Sequence, residues 1–555
     1  MDDYKLFYYL LTEFSKSNSW SIVALIGVSL SINLVSTYGI SKMIAKLYDV
    51  AKSGTTQVIW TTFYWVIFAY IIYQVLYYIF YDIEKNVVYK LKMWLRYKLM
   101  DLIMLVNKDI FSDVNFANLN SPIHRVADLI ASIVTDVSGY LLPNILLLLI
   151  VTIYFFGISP NLAIVFLICN VIIFVIYKSI FKSLIEENVK YENKNVETDN
   201  TMIDLLNNMD KIIYRGKTKD ESKKVYRLAN KSSMYAIKYY DVTNKYTTMI
   251  SFIILSVFLG SSGYLLKLLI DKKISYIDFI TSLTILTQYR EKLAIVVDEI
   301  PDFAGYIGRM NVTMSYFQHV SDNLDEIVQK QNSITHKKLQ FHNIRFENVS
   351  YKYSSGKYVF SDKSLNFDIK DRTIVGITGP SGSGKSTLMK LLIGMYPVEK
   401  GEIYIDGINI KQIDSDDTRK HVTYVNQNSK LFDTKVIKNM MYGCMDPEKC
   451  SNHLQKIMNY PLISKLYKNM DIHTKESGLL GENLSGGQRQ VVNMISGFIN
   501  PSEILILDEP TNALDPALKK EVIQMIRDLK NYKKCIFIIS HDKDVFEIFD
   551  DEIKM

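Results

Sequence analysis

Charge-free apolar runs alternate with long polar stretches through the first three hundred residues. Trp20 to Ser41 and Ser53 to Tyr81 carry no charged side chain, and each is long enough to cross a hydrocarbon core. Val137 to Tyr177 is a charge-free run of about twice the length one span needs. Gly157-Ile158-Ser159-Pro160-Asn161 interrupts it, so it reads as two spans joined by a tight turn. Tyr246 to Leu266 makes a fifth span. A sixth begins near Ile274 but carries Asp278 and Arg290-Glu291-Lys292. Arg290 then either faces a watery interior or already lies at the interface. Between the spans, Asp82 to Asp136 and Lys178 to Lys245 are too polar for lipid yet keep helical periodicity. They read as membrane helices continuing beyond the bilayer and back.

The pattern changes after residue 338. Apolar runs shorten to strand length, as in Ile374-Val375-Gly376-Ile377, Ile504-Leu505-Ile506-Leu507 and Cys535-Ile536-Phe537-Ile538-Ile539. The first strand leads into Gly379-Pro380-Ser381-Gly382-Ser383-Gly384-Lys385-Ser386-Thr387 and then a helical Leu388-Met389-Lys390-Leu391-Leu392. This is the spacing G-x-x-x-x-G-K-[ST], whose backbone N–H groups cradle nucleotide phosphates. Lys385 would reach the β- and γ-phosphates, and Ser386 would hold Mg²⁺. The second strand ends in Asp508-Glu509. One carboxylate, Asp508, suits Mg²⁺; the other, Glu509, suits orientation or deprotonation of an attacking water. Between them, Ser485-Gly486-Gly487-Gln488 opens a helix as an anion-binding set of amides.

These motifs, in this order, resemble the ATP-binding cassette (ABC) family. The resemblance implies that Gln427, in Tyr424-Val425-Asn426-Gln427, is the Q-loop glutamine that touches Mg²⁺. It makes Leu484 to Gln488 the signature that binds the γ-phosphate held by an opposite cassette. Asn512-Ala513-Leu514-Asp515 is similar to the D-loop, His541 to the switch histidine, and Tyr353 to the aromatic that stacks on adenine. The membrane half is similar to that of exporters, with coupling segments expected near Phe111 to Ile123 and Asp199 to Arg215.

The expected architecture is an α-helical six-span membrane domain over residues 1–320, a linker over 321–338, and an α/β P-loop NTPase domain over 339–555. The expected function is ATP-driven export by a half-transporter working as a homodimer or with a second half-transporter, with ATP and Mg²⁺ as cofactors. A nucleotide-gated channel or regulator is the alternative from another class. An even number of spans puts both termini on one side, and the cassette needs cytosolic ATP, so both face the cytosol.

Composition narrows this further. Net charge is +6 across 555 residues, with 48% of them hydrophobic, which suits a membrane protein and gives no footprint for nucleic acid. Lys42, Lys46, Lys52, Lys267, Lys272 and Lys273 fall on the outer loops, as interface anchors or as attractants for anionic lipid or substrate. Tyr64, Tyr70, Tyr73, Tyr77 and Tyr78 crowd the second span without naming a substrate. Tyr4 to Phe14 reads as an interfacial amphipathic helix. Four cysteines imply a reduced compartment without a disulfide framework, and Cys444 and Cys450 read as ordinary residues. Two features depart from the family. Val491-Val492-Asn493-Met494-Ile495-Ser496-Gly497 replaces a basic, alanine-rich helix, and the sequence runs only to Met555, where another strand begins.

Overall fold

The computed structural model describes residues 5–109, 119–325, 339–353, 358–427, 430–512 and 514–555. The chain folds as two compact units, one helical and one α/β.

Among the described residues, the helical unit contains six long helical segments. The first runs through Lys5–Leu34, a π-helical stretch Val35–Ile40, and Ser41–Ser53. The second spans Thr56–Asp109, the third Asn120–Ile158 with a π-helical stretch at Asp136–Leu141, and the fourth Pro160–Asn207. The fifth is Thr218–Ile270 and the sixth Tyr276–Met314. The second helix, 54 residues long, extends about 80 Å at 1.5 Å per residue, against a hydrocarbon core of about 30 Å. Apolar span and polar extension are therefore one rod, as the periodicity predicts. Five of the six are long and apolar enough to cross a membrane; the sixth is the exception.

The charges of the sixth helix have separate explanations. Asp278 is not inside the apolar stretch. It is the third residue of the helix, and with Ser275 it forms a reciprocal capping box. Arg290 packs against protein, with its guanidinium carbon 5.2 Å from the centre of the Phe258 ring on the fifth helix. The N-terminal amphipathic stretch also differs from expectation. Tyr4 lies outside the described residues, and Leu6, Leu10 and Phe14 form an i, i+4 stripe buried in protein. Phe14 packs on Trp94, and Glu13 pairs with Lys98 on the second helix. That stripe is spent on a protein contact, and a break at Asn18 redirects the chain before the first span.

Of the two expected coupling segments, residues 111–118 of the first lie outside the described residues. The second contains a short helix, Met209–Tyr214, between the fourth and fifth helices, and none of its side chains is buried.

The second unit is an α/β domain with two sheets. Strands β1 (Asn343–Lys352), β2 (Tyr358–Asp368), β4 (Lys400–Ile405) and β5 (Ile408–Asn409) form an antiparallel sheet in the order β2-β1-β4-β5. Strands β3 (Thr373–Thr378), β6 (Val422–Val425), β7 (Ile504–Asp508), β8 (Cys535–Ile539) and β9 (Asp551–Lys554) form a parallel sheet in the order β6-β7-β8-β3-β9. The strands β7 and β8 are buried on both faces, which is why they read as unbroken apolar runs. The closing Asp551–Lys554 does form a strand, added to the free edge of β3.

The cysteine reading needs correction. Cys444 and Cys450 are joined by a disulfide, their Cα atoms 6.4 Å apart. Asp446, between them, caps the helix Pro447–Met458, and this turn brings the two residues together; spacing alone does not reveal it. Cys169 and Cys535 are free and buried.

Candidate nucleotide site

Register in the parallel sheet gathers the predicted residues at one edge. Ile539 on β8 pairs with Ile377 on β3 and with Asp508 on β7, and Val425 on β6 pairs with Leu507. The loops that leave these strands therefore emerge side by side at the carboxyl ends, where ligands bind in open α/β sheets.

Gly379, Gly382 and Gly384 all adopt positive φ. At Gly384, φ is +93° and a Cβ would meet Val359 and Phe360 closer than 3.0 Å, so only glycine fits this N-cap. The helix Lys385–Leu392 begins here and aims its free N–H groups into the loop. Lys385 is 5% exposed. Its ammonium donates to the Gly379 and Pro380 carbonyls at 3.0 and 2.9 Å and lies 3.2 Å from His541 Nε2. Burial pulls the Lys385 pKa down, and the Glu509 and Asp508 carboxylates offset part of that.

His541 Nε2 also lies 3.6 Å from Glu509 Oε1. Burial raises the Glu509 carboxyl above its ordinary value, with His541 opposing the shift. Glu509 itself sits at φ +52°, a conformation uncommon outside glycine. Its N–H donates to the Ile539 carbonyl, and Gln490 Nε2 donates to the carbonyls of Glu509 and Pro510. Asp508 is buried; its Oδ1 accepts from Ser386 at 2.9 Å and its Oδ2 from Tyr424 at 2.6 Å. Lys385, Ser386, Asp508, Glu509 and His541 are thus one contiguous cluster.

Tyr353 Oη lies 2.7 Å from Thr387 Oγ1, and its ring packs edge-on against Tyr351 and Tyr396. Gln427 is exposed just beyond β6, and Ser381 and Gly382 are exposed at the loop tip. Ser383 Oγ is buried without a hydrogen-bond partner among the described residues, which leaves it able to donate to a phosphate oxygen. Ser386, Asp508 and Gln427 offer hard oxygen ligands of the kind Mg²⁺ takes.

Ser485 to Gln488 forms a separate group. Ser485 caps the helix Gly486–Ile499, accepting from Gln488 N, while Gln488 Oε1 accepts from Ser485 N. Among the described residues, no hydrogen bond joins this group to the phosphate loop. The atypical helix that follows does form. Asn493 Nδ2 donates to the Asn426 carbonyl at 3.2 Å. At Gly497 a Cβ would stand 2.2 Å from Val425 Cγ2, so glycine lets this helix approach β6. Of the expected D-loop, Ala513 lies outside the described residues; Asp515 caps the helix Pro516–Leu529. Sequence reasoning misses Tyr424, Gln490 and Asn493. Only Tyr424 carries a signal, as a polar-tipped aromatic inside an apolar strand beside the Q-loop.

A helical transmembrane domain fused to a P-loop nucleotide-binding domain defines the class. Residues 20–293 match the family model described as ABC transporter transmembrane region, and residues 363–512 the one described as ABC transporter. The chain belongs to the ABC transporter family. It is 32% identical over 297 residues to the lactococcin-G-processing and transport ATP-binding protein LagD of Lactococcus lactis, a match covering 52% of this chain and 39% of that protein. It is 24% identical over 443 residues to the transport/processing ATP-binding protein ComA of Streptococcus pneumoniae, covering 78% of this chain and 58% of that protein. These matches span less than two thirds of either relative's length. The fold matches that of a bacterial Atm1-family ABC exporter with ATP bound, with a TM-score of 0.77 over 98% of this chain and 93% of that one, at 17% identity.

Proposed function

We propose that the chain is an exporter-type half-transporter that hydrolyses ATP as a dimer to move a substrate across a membrane, with its cassette on the cytosolic side. The observation that carries this reading is the meeting of Lys385, Ser386, Asp508, Glu509 and His541 at the carboxyl end of the parallel sheet, apart from the Ser485–Gln488 helix cap. A phosphate loop whose own signature lies apart from it implies a second cassette to complete the site.

In this reading the loop amides, Ser383 and Lys385 bind the β- and γ-phosphates, and Tyr353 stacks on the adenine. Ser386, Asp508 and Gln427 hold Mg²⁺, which when bound neutralises charge on the phosphates. Glu509 accepts a proton from the attacking water, and its raised pKa suits a general base. His541 contacts the γ-phosphate and keeps Glu509 in place. A partner's signature helix then supplies its amide N–H groups to the same phosphate. Relatives named as transport proteins, one of them for lactococcin G, support export without fixing the cargo.

The test is ATP turnover by the chain purified alone into lipid nanodiscs, with Glu509→Gln as blank. Turnover above the blank supports a self-sufficient homodimer. Dimers that bind ATP but do not turn it over point to a different partner half, and stoichiometric binding with channel currents would replace the exporter reading with a gated channel.

A further inference from the structure

We propose that Tyr424 is a positioning residue that fixes the Asp508 carboxylate for Mg²⁺ and ties the Q-loop strand to the metal site. The inference rests on Asp508 being the Mg²⁺-facing carboxylate. Asp508 is 5% exposed at the tip of β7. A carboxylate so buried needs donors, and its two oxygens take one each, Ser386 on Oδ1 and Tyr424 on Oδ2. Both donors are neutral hydroxyls, so neither brings a positive charge that would compete with a cation. An ammonium in the same place would neutralise it.

The two donors have different duties. Ser386 lies on the phosphate loop and is itself a proposed Mg²⁺ ligand, so its geometry answers to the nucleotide. Tyr424 belongs to neither the loop nor the Asp508 strand. Its neighbour in the sheet is Ile506, two residues before Asp508. The phenol reaches across that register step to the carboxylate, and a phenol is a donor throughout the neutral pH range. Gln427 follows three residues later, just past the end of the same strand. A displacement of the Q-loop would be transmitted to Asp508 through Tyr424. The other side of this strand end is also fixed, by Asn493 Nδ2 on the Asn426 carbonyl and by Gly497 against Val425. The strand end is thereby packed against the helix Gly486–Ile499.

The experiment uses the full chain in nanodiscs and reads equilibrium ATP binding during Mg²⁺ titration, in a Glu509→Gln background that suppresses turnover. Tyr424→Phe removes only the hydroxyl. A hydrogen bond to a charged group converts to roughly a tenfold change or more. The Mg²⁺ midpoint should rise about tenfold, with ATP binding in EDTA unchanged. A midpoint within about twofold of the parent, where Asp508→Asn shifts it, overturns the role of Tyr424 alone. No shift with Asp508→Asn overturns the metal reading and the proposal together. Should Tyr424→Phe also lower the melting temperature, the double variant decides. Tyr424→Phe should add nothing on an Asp508→Asn background, and additive shifts overturn the proposal.

Discussion

The two halves of this chain deal with polar side chains in opposite ways. Inside the helical unit, polar groups on the spans are mostly paired with protein. Asn33 on the first helix donates to Asn144 on the third at 2.9 Å, and Tyr289 donates to Asn170. Thr152, Ser251, Ser256 and Thr284 return their hydroxyls to carbonyls of their own helix. Lipid offers no replacement partner, so a span must satisfy its own polar groups. Thr37 and Ser261 are exceptions among the described residues, each buried without a partner. The cassette instead gathers Lys385, Asp508, Glu509 and His541 in one cluster at the carboxyl ends of its parallel strands. Such crowding is costly unless a ligand of complementary charge arrives. Paired polar groups in the first half are architecture; clustered ones in the second are, on the proposed function, prepared for chemistry.

The sharpest break of that comparison is Glu509→Gln. It should retain ATP binding while turnover falls about 10²- to 10⁴-fold, the general-base scale, in a steady-state phosphate-release assay. Turnover near that of the parent would remove Glu509 from the reaction. Its raised pKa also fixes a sign. The base works when deprotonated, so kcat should fall on acidification through a pKa above the usual glutamate value of about 4.3. A kcat–pH profile checks this.

Lys385→Ala should come next, weakening ATP binding by about 10- to 100-fold, the value of a charge-assisted hydrogen bond. Equilibrium titration measures it, and unchanged affinity would take Lys385 out of the phosphate site.

A smaller effect tests whether the cassette also uses polar groups structurally. Asp406 accepts from the backbone N–H groups of Gln340, Phe341, His342 and Asn343 at 3.1, 2.7, 2.6 and 3.0 Å. Burial pulls its pKa up, but the four donors together hold it below the usual carboxylate value. That stability is present above the unfolded pKa of about 3.9 and is lost as pH falls through the lower folded value. Asp406→Asn should destabilise the cassette by about 1–2 kcal/mol at neutral pH. Calorimetry at pH 7 and at low pH should show the gap between variant and parent closing in acid.

The smallest effect is expected in the membrane half. Asn33→Ala should cost about 0.6 kcal/mol, because interhelical hydrogen bonds in bilayers contribute little net stability. Unfolding in mixed micelles measures it. A loss as large as that of Asp406→Asn would blur the contrast between the halves.

Much of this organisation is legible in the amino-acid order. The spans follow from length and charge, because hydrocarbon tolerates few alternatives. The phosphate loop, Asp508-Glu509 and Ser485-Gly486-Gly487-Gln488 follow from motifs in which each residue type has a chemical reason. Asp278 is harder to place because capping depends on where a helix starts, and an apolar window does not register one residue. The helix from Lys5 reads as interfacial because an amphipathic stripe does not say whether lipid or Trp94 will cover it. Cys444 and Cys450 read as separate because only the turn capped by Asp446 brings them together.

The sequence by itself determined which residues could span lipid and which could hold a nucleotide, because both depend on local composition and spacing. Only the tertiary structure decided that Ile539 aligns β3 with β7, so that residues more than a hundred positions apart share one site. It also decided that Tyr424 reaches Asp508, and that Asn493 and Gly497 seat the signature helix on β6. Register and helix packing arise from cooperative burial of many side chains, and no short window of sequence contains that sum.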